Sequence, residues 1–82
     1  MEDVIFKLLM ELKRLSNADT ATILWVTNGL EKQPIVNFIY DSMHALVSFR
    51  LKDIIFSLDN YGYEQTVNDL NKEINRILSN LL

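Results

Sequence analysis

The last twenty residues of the chain carry a regular apolar repeat. Apolar side chains recur there at alternating steps of four and three residues: Tyr63, Val67, Leu70, Ile74, Ile77 and Leu81. This spacing places them along one side of an α-helix, as in a coiled coil, and nearly all of the residues between them are polar. A stripe this narrow is buried by one partner helix. We therefore predict a final helix at about Tyr63–Asn80 whose seam, defined by these six residues, packs against another helix.

The seam has two candidate partners that the sequence does not separate. It can pack within the chain, against a helix nearer the amino terminus, or across a dimer, against the same helix of a second copy. In the second case the dimer seam consists of Val67, Leu70, Ile74, Ile77 and Leu81. Both arrangements bury the same side chains.

Two earlier segments also show helical periodicity. The first, Asp3–Leu15, has an apolar face, acidic residues in its first turn and basic residues in its last, which suits both ends of the helix dipole. The second begins near Pro34, a residue favoured in the first turn of a helix, and runs to about Phe49. Its polar residues form one stripe, Asn37, Asp41, His44 and Ser48, so we predict a central helix that breaks near Arg50–Asp53.

Two segments remain ambiguous between helix and strand. In Ala18–Leu30 the β-branched residues and the Asn28-Gly29 pair are typical of a hairpin, but Pro34 would interrupt the second strand. Helix is favoured for this segment, with Gly29 at its carboxyl end. Ile54–Leu58 is a further helical turn or a short strand, and a loop follows it at Asp59–Gly62.

Taken together, these segments predict an all-α fold, a small bundle of about four helices. We expect residues 1–82 to form one helical domain, because a core of this size cannot usefully be divided. Hydrophobic residues make up 49% of the chain, and a domain this short has few interior positions for them. The composition therefore favours a homo-oligomer.

Charge and composition exclude several classes of function. The net charge is −3 and the basic residues are scattered, so a nucleic acid partner is disfavoured. The chain has no cysteine, which fits a reducing cytoplasm. The longest stretch without a formally charged residue, Ser42–Phe49, is far shorter than the roughly 20 residues of a membrane span. The amino terminus lacks the pattern of a secretory signal, so we expect a cytoplasmic protein.

One pair of residues resembles part of a catalytic or metal site. Asp41 and His44 would share a helical face, and a carboxylate beside an imidazole occurs in general-base and metal chemistry. No nucleophile or further ligand stands at a useful spacing. We therefore expect a solvated polar stripe, no enzymatic activity, no cofactor and no metal.

The sequence favours a small protein–protein interaction module, a self-associating regulator or inhibitor that docks an apolar helix face on a partner protein. Its candidate anchors are aromatic: Trp25, Phe49, Tyr61 and Tyr63. The alternative is a winged-helix-like DNA-binding regulator that dimerises through its final helix. That alternative needs a recognition helix from Pro34 and a wing around Ile54–Gly62, and its recognition helix would lack basic residues before Arg50.

Overall fold

The computed structural model describes residues 2–81, which form an α+β fold. The elements in chain order are α1 (Glu2–Ser16), β1 (Thr20–Asn28), β2 (Glu31–Tyr40), a 3-10 turn (Asp41–Met43), β3 (Ala45–Arg50), α2 (Leu51–Tyr61) and α3 (Tyr63–Asn80). The predicted all-α bundle is therefore wrong, because the middle of the chain is an antiparallel sheet. The first and last helices are confirmed, since α1 and α3 match the predicted segments closely.

The sheet is a meander in the order β1-β2-β3. β2 pairs with β1 along its length up to Ile39, but it pairs with β3 only from Ile35 onward. The end of the β1–β2 hairpin therefore extends beyond the third strand. Since β1 and β3 lie at the two sides of the sheet, each has one neighbour and one free edge among the described residues.

The segment Ala18–Leu30, for which helix was favoured, forms β1 and the turn after it. Six of the nine β1 residues are β-branched or aromatic, and such side chains fit a pleated strand better than a helix. The turn has Gly29 and Leu30 at its centre, and Gly29 adopts φ +67°. A type II′ hairpin turn needs this positive φ at its first central residue, which explains the glycine. The hairpin signal was therefore stronger than the helical spacing.

Pro34 was expected to begin a helix, yet it lies inside β2 opposite Trp25. In a two-residue hairpin the closing pair, here Asn28 and Glu31, exchanges both backbone hydrogen bonds, and the bonded pairs then alternate along the ladder. The nitrogen of Pro34 consequently points away from β1, toward the side of β3. Because β3 pairs only as far as Ile35, the missing N–H of the proline removes no bond from the sheet.

The segment from Pro34 to Phe49 is thus two strands, not a central helix. Val36, Phe38 and Tyr40 alternate along β2 and are buried, and the 3-10 turn leads into β3. The recognition helix that the winged-helix alternative requires is a strand. The predicted break near Arg50–Asp53 is confirmed as the passage from β3 to α2, and the ambiguous Ile54–Leu58 is helical.

The helices lie against one face of the sheet. The core combines apolar residues of α1, the inward positions of β2 and β3, and the apolar sides of α2 and α3: among others Leu8, Leu12, Val36, Phe38, Val47, Ile54 and Ile74. A buried hydrogen-bond chain fastens α1 to the sheet, since Tyr40 Oη donates to Ser16 Oγ and Ser16 Oγ donates to the carbonyl of Leu12, both at 2.7 Å. Burial raises the pKa of Tyr40, and the hydrogen bond to Ser16 offsets part of this increase. The opposite face of the sheet has no helix on it among the described residues.

Candidate interaction surface

Strand β1 exposes a continuous apolar segment. The four residues at its centre, Ile23, Leu24, Trp25 and Val26, are 41%, 54%, 68% and 47% exposed. Phe6 of α1 is 64% exposed. Single exposed apolar side chains are ordinary in proteins, but contiguous ones mark places where other molecules bind. We call these five residues the β1 edge surface.

One side of the β1 edge surface opens into an apolar groove. Ile23 and Trp25 lie opposite Val36 and Pro34, so their side chains are on the face of the sheet that the helices cover. The helices do not reach far enough to cover them. The groove between β1 and the helices is lined by Ile5, Phe6, Leu9, Ile23, Trp25, Pro34 and Leu51. The rim of the core is therefore open at this point.

The other side of the β1 edge surface is the bare face of the sheet. Leu24 and Val26 point there, because side chains alternate along a strand. Leu24 lies opposite Ile35 of β2, which is partly buried. A strand that is apolar on both faces is typical of strands buried on both faces. The composition of β1 thus fits a more enclosed environment than the chain alone provides.

The outer edge of β1 also presents unpaired backbone groups. Since Asn28, Val26, Leu24 and Thr22 exchange bonds with β2, the N–H and C=O groups of the alternate residues point outward: Ala21, Ile23, Trp25 and Thr27. No protein group in the described part of the chain bonds to these outward groups. Free edges of this kind bind further strands.

Strand β1 lacks the features that usually prevent such pairing. Proteins protect edge strands with charged residues, with proline or with a bulge in the middle of the strand. From Thr20 to Asn28 the chain contains no charged residue and no proline, and its ladder with β2 is regular. The nearest charges are Asp19, whose carboxylate accepts a 2.7 Å bond from the backbone N–H of Asp41, and Glu31 beyond the turn. From Thr20 to Asn28, therefore, no charge, proline or bulge prevents a further strand from pairing with the outer edge of β1.

The structure does not bring the four predicted aromatic anchors together. Trp25 belongs to the β1 edge surface, whereas Tyr61 and Tyr63 flank Gly62 at the junction of α2 and α3 and line a separate, polar groove. Phe49 is partly buried and packs edge-to-face on Phe38, with ring centroids 6.2 Å apart. Of the four, only Trp25 and Tyr61 are well exposed. Their role as partner anchors stays a prediction.

Tyr63 is held by α1. Its hydroxyl donates a 2.5 Å hydrogen bond to Glu11 Oε2, and the ammonium group of Lys7 lies 5.1 Å from the centre of its ring. Desolvation, the hydrogen bond to Glu11 and the negative charge of Glu11 together raise the pKa of Tyr63 to about 12. Tyr63 therefore joins α3 to α1.

The seam of α3 packs within the chain. Val67 and Ile74 are buried in the core, and Leu70 and Ile77 pack against it, while Leu81 is exposed. Helix α1 is the main neighbour of α3. The intramolecular alternative thus accounts for the repeat, and pairing of the seam across a dimer stays a prediction.

His44 and Asp41 do not share a helical face. Asp41 is in the 3-10 turn, and His44 follows that turn in the left-handed conformation at φ +50°, with its backbone N–H donating to the carbonyl of Asp41. Both side chains are exposed. Within residues 2–81 no group of three or more histidine, cysteine or acidic residues is placed to hold a metal ion. These residues form a connection between strands.

Sequence reasoning missed most of the β1 edge surface. It identified Trp25 but not Phe6, Ile23, Leu24 or Val26. The missed signal is the uninterrupted apolar run Ile23–Val26, which has too few residues for a buried helix and is flanked by threonines.

No helix of the described chain combines the length and the apolar character needed to cross a bilayer. Comparison with protein-family models, with curated protein sequences and with solved structures finds no match.

Proposed function

We propose that this chain is a protein–protein interaction module that binds a partner through the β1 edge surface. The observation that carries the proposal is the uncharged edge strand with four consecutive exposed apolar residues, Ile23–Val26. Such a strand offers backbone bonds for affinity and apolar side chains for specificity. The docking element is a strand beside an apolar groove, where the sequence alone suggested a helix face.

In the proposed mechanism, the β1 edge surface binds a surface of the partner protein and thereby blocks access to it. Trp25 and Phe6 are large apolar side chains at the two sides of the groove, and large aromatic residues in a desolvated pocket supply most of the affinity of an interface. A regulator or inhibitor that works by occupancy needs no catalytic group. We propose that the protein acts in this way in the cytoplasm, where its lack of cysteine is unremarkable.

Site-specific photo-crosslinking in the cells that make the protein tests this proposal. A photoreactive phenylalanine analogue replaces Trp25 in one variant and Phe56 in the control. Phe56 is a good control because it is 62% exposed, similar to Trp25, but lies on α2 outside the groove. We expect a discrete protein adduct from position 25 and little adduct from position 56. No adduct from position 25, or equal adducts from both positions, would contradict the proposal.

A further inference from the structure

We propose that the partner of the β1 edge surface is a second copy of this chain, joined by antiparallel pairing of β1 with β1 to give a continuous six-stranded sheet. This inference rests on the proposed function, because it names the occupant of the same surface. The pairing is isologous, so a two-fold axis perpendicular to the sheet passes between the two β1 strands, midway between the two Leu24 residues. Both helical layers then lie on the same side of the joint sheet.

The outward backbone groups select one register. Residues that exchange bonds across the new ladder must be drawn from Ala21, Ile23, Trp25 and Thr27 in both copies. A ladder centred on Leu24 pairs Ala21 with Thr27 and Ile23 with Trp25, each twice by symmetry. All four outward residues of each strand are then bonded. Centring the ladder on Ile23 or on Trp25 leaves at least one of them without a partner in β1.

The same register joins the apolar faces. Side chains that are directly opposite in an antiparallel pair lie on the same face, so Ile23 of one copy packs beside Trp25 of the other on the helical side. The two grooves meet there, and the Phe6 side chains are brought toward the axis. On the bare face Leu24 lies opposite its own counterpart, flanked by Val26. Ile23, Leu24 and Trp25 each gain an apolar neighbour directly opposite in the other copy, while Val26 lies opposite Thr22 and diagonal to Leu24.

Charge and size both favour a second copy as the occupant. The chain has a net charge of −3, so two copies repel each other at most surfaces, but β1 has no charged residue to oppose its approach to itself. Nine residues at about 3.4 Å each give the edge a length of about 30 Å, and each copy adds its groove and the exposed side chains of β1 to the contact. Backbone pairing over this length, with apolar side chains on both faces, has the character of a specific interface.

Cysteine trapping tests the register directly, because the natural chain has no cysteine. In the proposed dimer the Cα atoms of the two Leu24 residues are about 4.5 Å apart, as in a pair that exchanges no backbone bonds. This separation permits a disulfide. The Cα atoms of the two Val26 residues are about 14 Å apart, since four residues separate them along the ladder. The full chain carrying Leu24→Cys is oxidised beside the matched control Val26→Cys.

We expect Leu24→Cys to form a disulfide-linked dimer rapidly and Val26→Cys to remain largely without a disulfide link between copies. Equal trapping of both variants, or preferential trapping of Val26→Cys, would overturn the proposed register. Absence of trapping in both would overturn the pairing itself. Because both positions are exposed on the same face, chance collisions between thiols contribute equally to the two results.

The single tryptophan supplies an independent readout. Trp25 is exposed in the monomer and covered in the proposed dimer. Its fluorescence emission should therefore shift to shorter wavelength as the concentration of the natural chain rises. Ile23→Pro removes an outward N–H without touching the bonds to β2, and should weaken association at least about tenfold. Ile23→Ala is the control that shortens the side chain but keeps the N–H. Emission that does not change with concentration in a folded chain would refute self-association.

The proposed function and this inference fail in different ways. Photo-crosslinking at position 25 to a different protein, together with a monomeric chain in the trapping and fluorescence experiments, would reject the second copy and leave the interaction module standing. A position-25 adduct with twice the mass of the chain supports both. Absence of any adduct and of any association rejects both.

Discussion

Helix α3 and strand β1 are both rich in apolar residues, but the fold treats them in opposite ways. The seam of α3 is covered by α1, with Val67 and Ile74 buried and most of the polar residues of the helix exposed to solvent. The centre of β1 is apolar on both faces, and the fold covers neither face fully. The two regions therefore differ in what their apolar residues stabilise: α3 stabilises the fold, while β1 provides a surface for binding.

This difference follows from the width of each apolar pattern. A stripe along one side of a helix is satisfied by one neighbour, and the chain supplies that neighbour in α1. A strand without polar alternation needs cover on two faces and along its edge. Three helices of 15, 11 and 18 residues cover one face of the sheet and end short of its β1 side.

The largest effect that tests this comparison is expected from Ile74→Asp. Ile74 is completely buried in the seam, and an unpaired carboxylate there costs more than about 4 kcal/mol. A domain of this length has roughly 4–12 kcal/mol of stability in total. We expect the variant to be unfolded or nearly so by circular dichroism, at any protein concentration.

Asn75→Asp is the matched control, because the neighbouring residue is exposed on the same helix and receives the same charge. Its melting temperature should stay close to that of the natural chain. An Ile74→Asp variant that remains helical but changes from dimer to monomer would instead assign the seam to an interface between copies.

The end helices were predictable from sequence because their apolar spacing has one interpretation. α1 and α3 show the 3.6-residue period over fifteen or more residues with polar residues between, and no strand pattern competes with it. The junction at Arg50–Leu51 was also visible, as a change in the phase of the pattern. The pattern that identifies each of these elements lies within its own stretch of sequence.

The sheet was not predictable in the same way, because it is determined by pairing between residues that are far apart in the sequence. Pro34 counts against a strand only if its nitrogen faces a partner, and which way it faces depends on the register that Gly29 sets in the turn. The polar positions of β2 and β3, such as Asn37 and Ser48, are neighbours across a ladder joined by a 2.5 Å hydrogen bond. In the linear sequence their spacing resembles one side of a helix.

A smaller effect is expected at the contact between α2 and α3. Thr66 is fully buried, and its hydroxyl shares a 2.8 Å hydrogen bond with Ser57. Thr66→Val removes one partner and leaves the Ser57 hydroxyl partly buried without a bond, which costs about 1–2 kcal/mol. Denaturant unfolding measures the loss.

The double variant Ser57→Ala/Thr66→Val should recover part of that stability, since both polar groups are then absent. A double variant that is less stable than Thr66→Val alone would indicate that Ser57 stabilises the helix pair through another contact.

A pH-dependent effect of about 1 kcal/mol or less is expected at Tyr63. Its pKa in the folded chain, about 12, lies above the ordinary value of 10.0 because of desolvation and Glu11. The neutral phenol is therefore favoured by folding, so its contribution to stability is complete below pH 10 and is lost as the pH rises through about 12. We expect the difference in stability between the natural chain and Tyr63→Phe to decline over this window. A difference that is constant from pH 9 to 12 would show that neither desolvation nor Glu11 raises the pKa of Tyr63 in the folded chain.

A small effect on stability is expected at Trp25, which is more exposed than the other large apolar residues of β1. Trp25→Ser removes the largest side chain of the β1 edge surface, but that side chain is 68% exposed, so little buried area is lost from the single copy. Measured at high dilution, the free energy of unfolding should change by about 1 kcal/mol or less. Measured at high concentration, the natural chain should gain stability from association and the variant should not. If the difference in stability between the natural chain and Trp25→Ser grows with protein concentration, Trp25 contributes to binding. Ile74, by contrast, contributes to the stability of the single copy. A loss of the same size at every concentration would place Trp25 with α3, among the residues that hold the fold together.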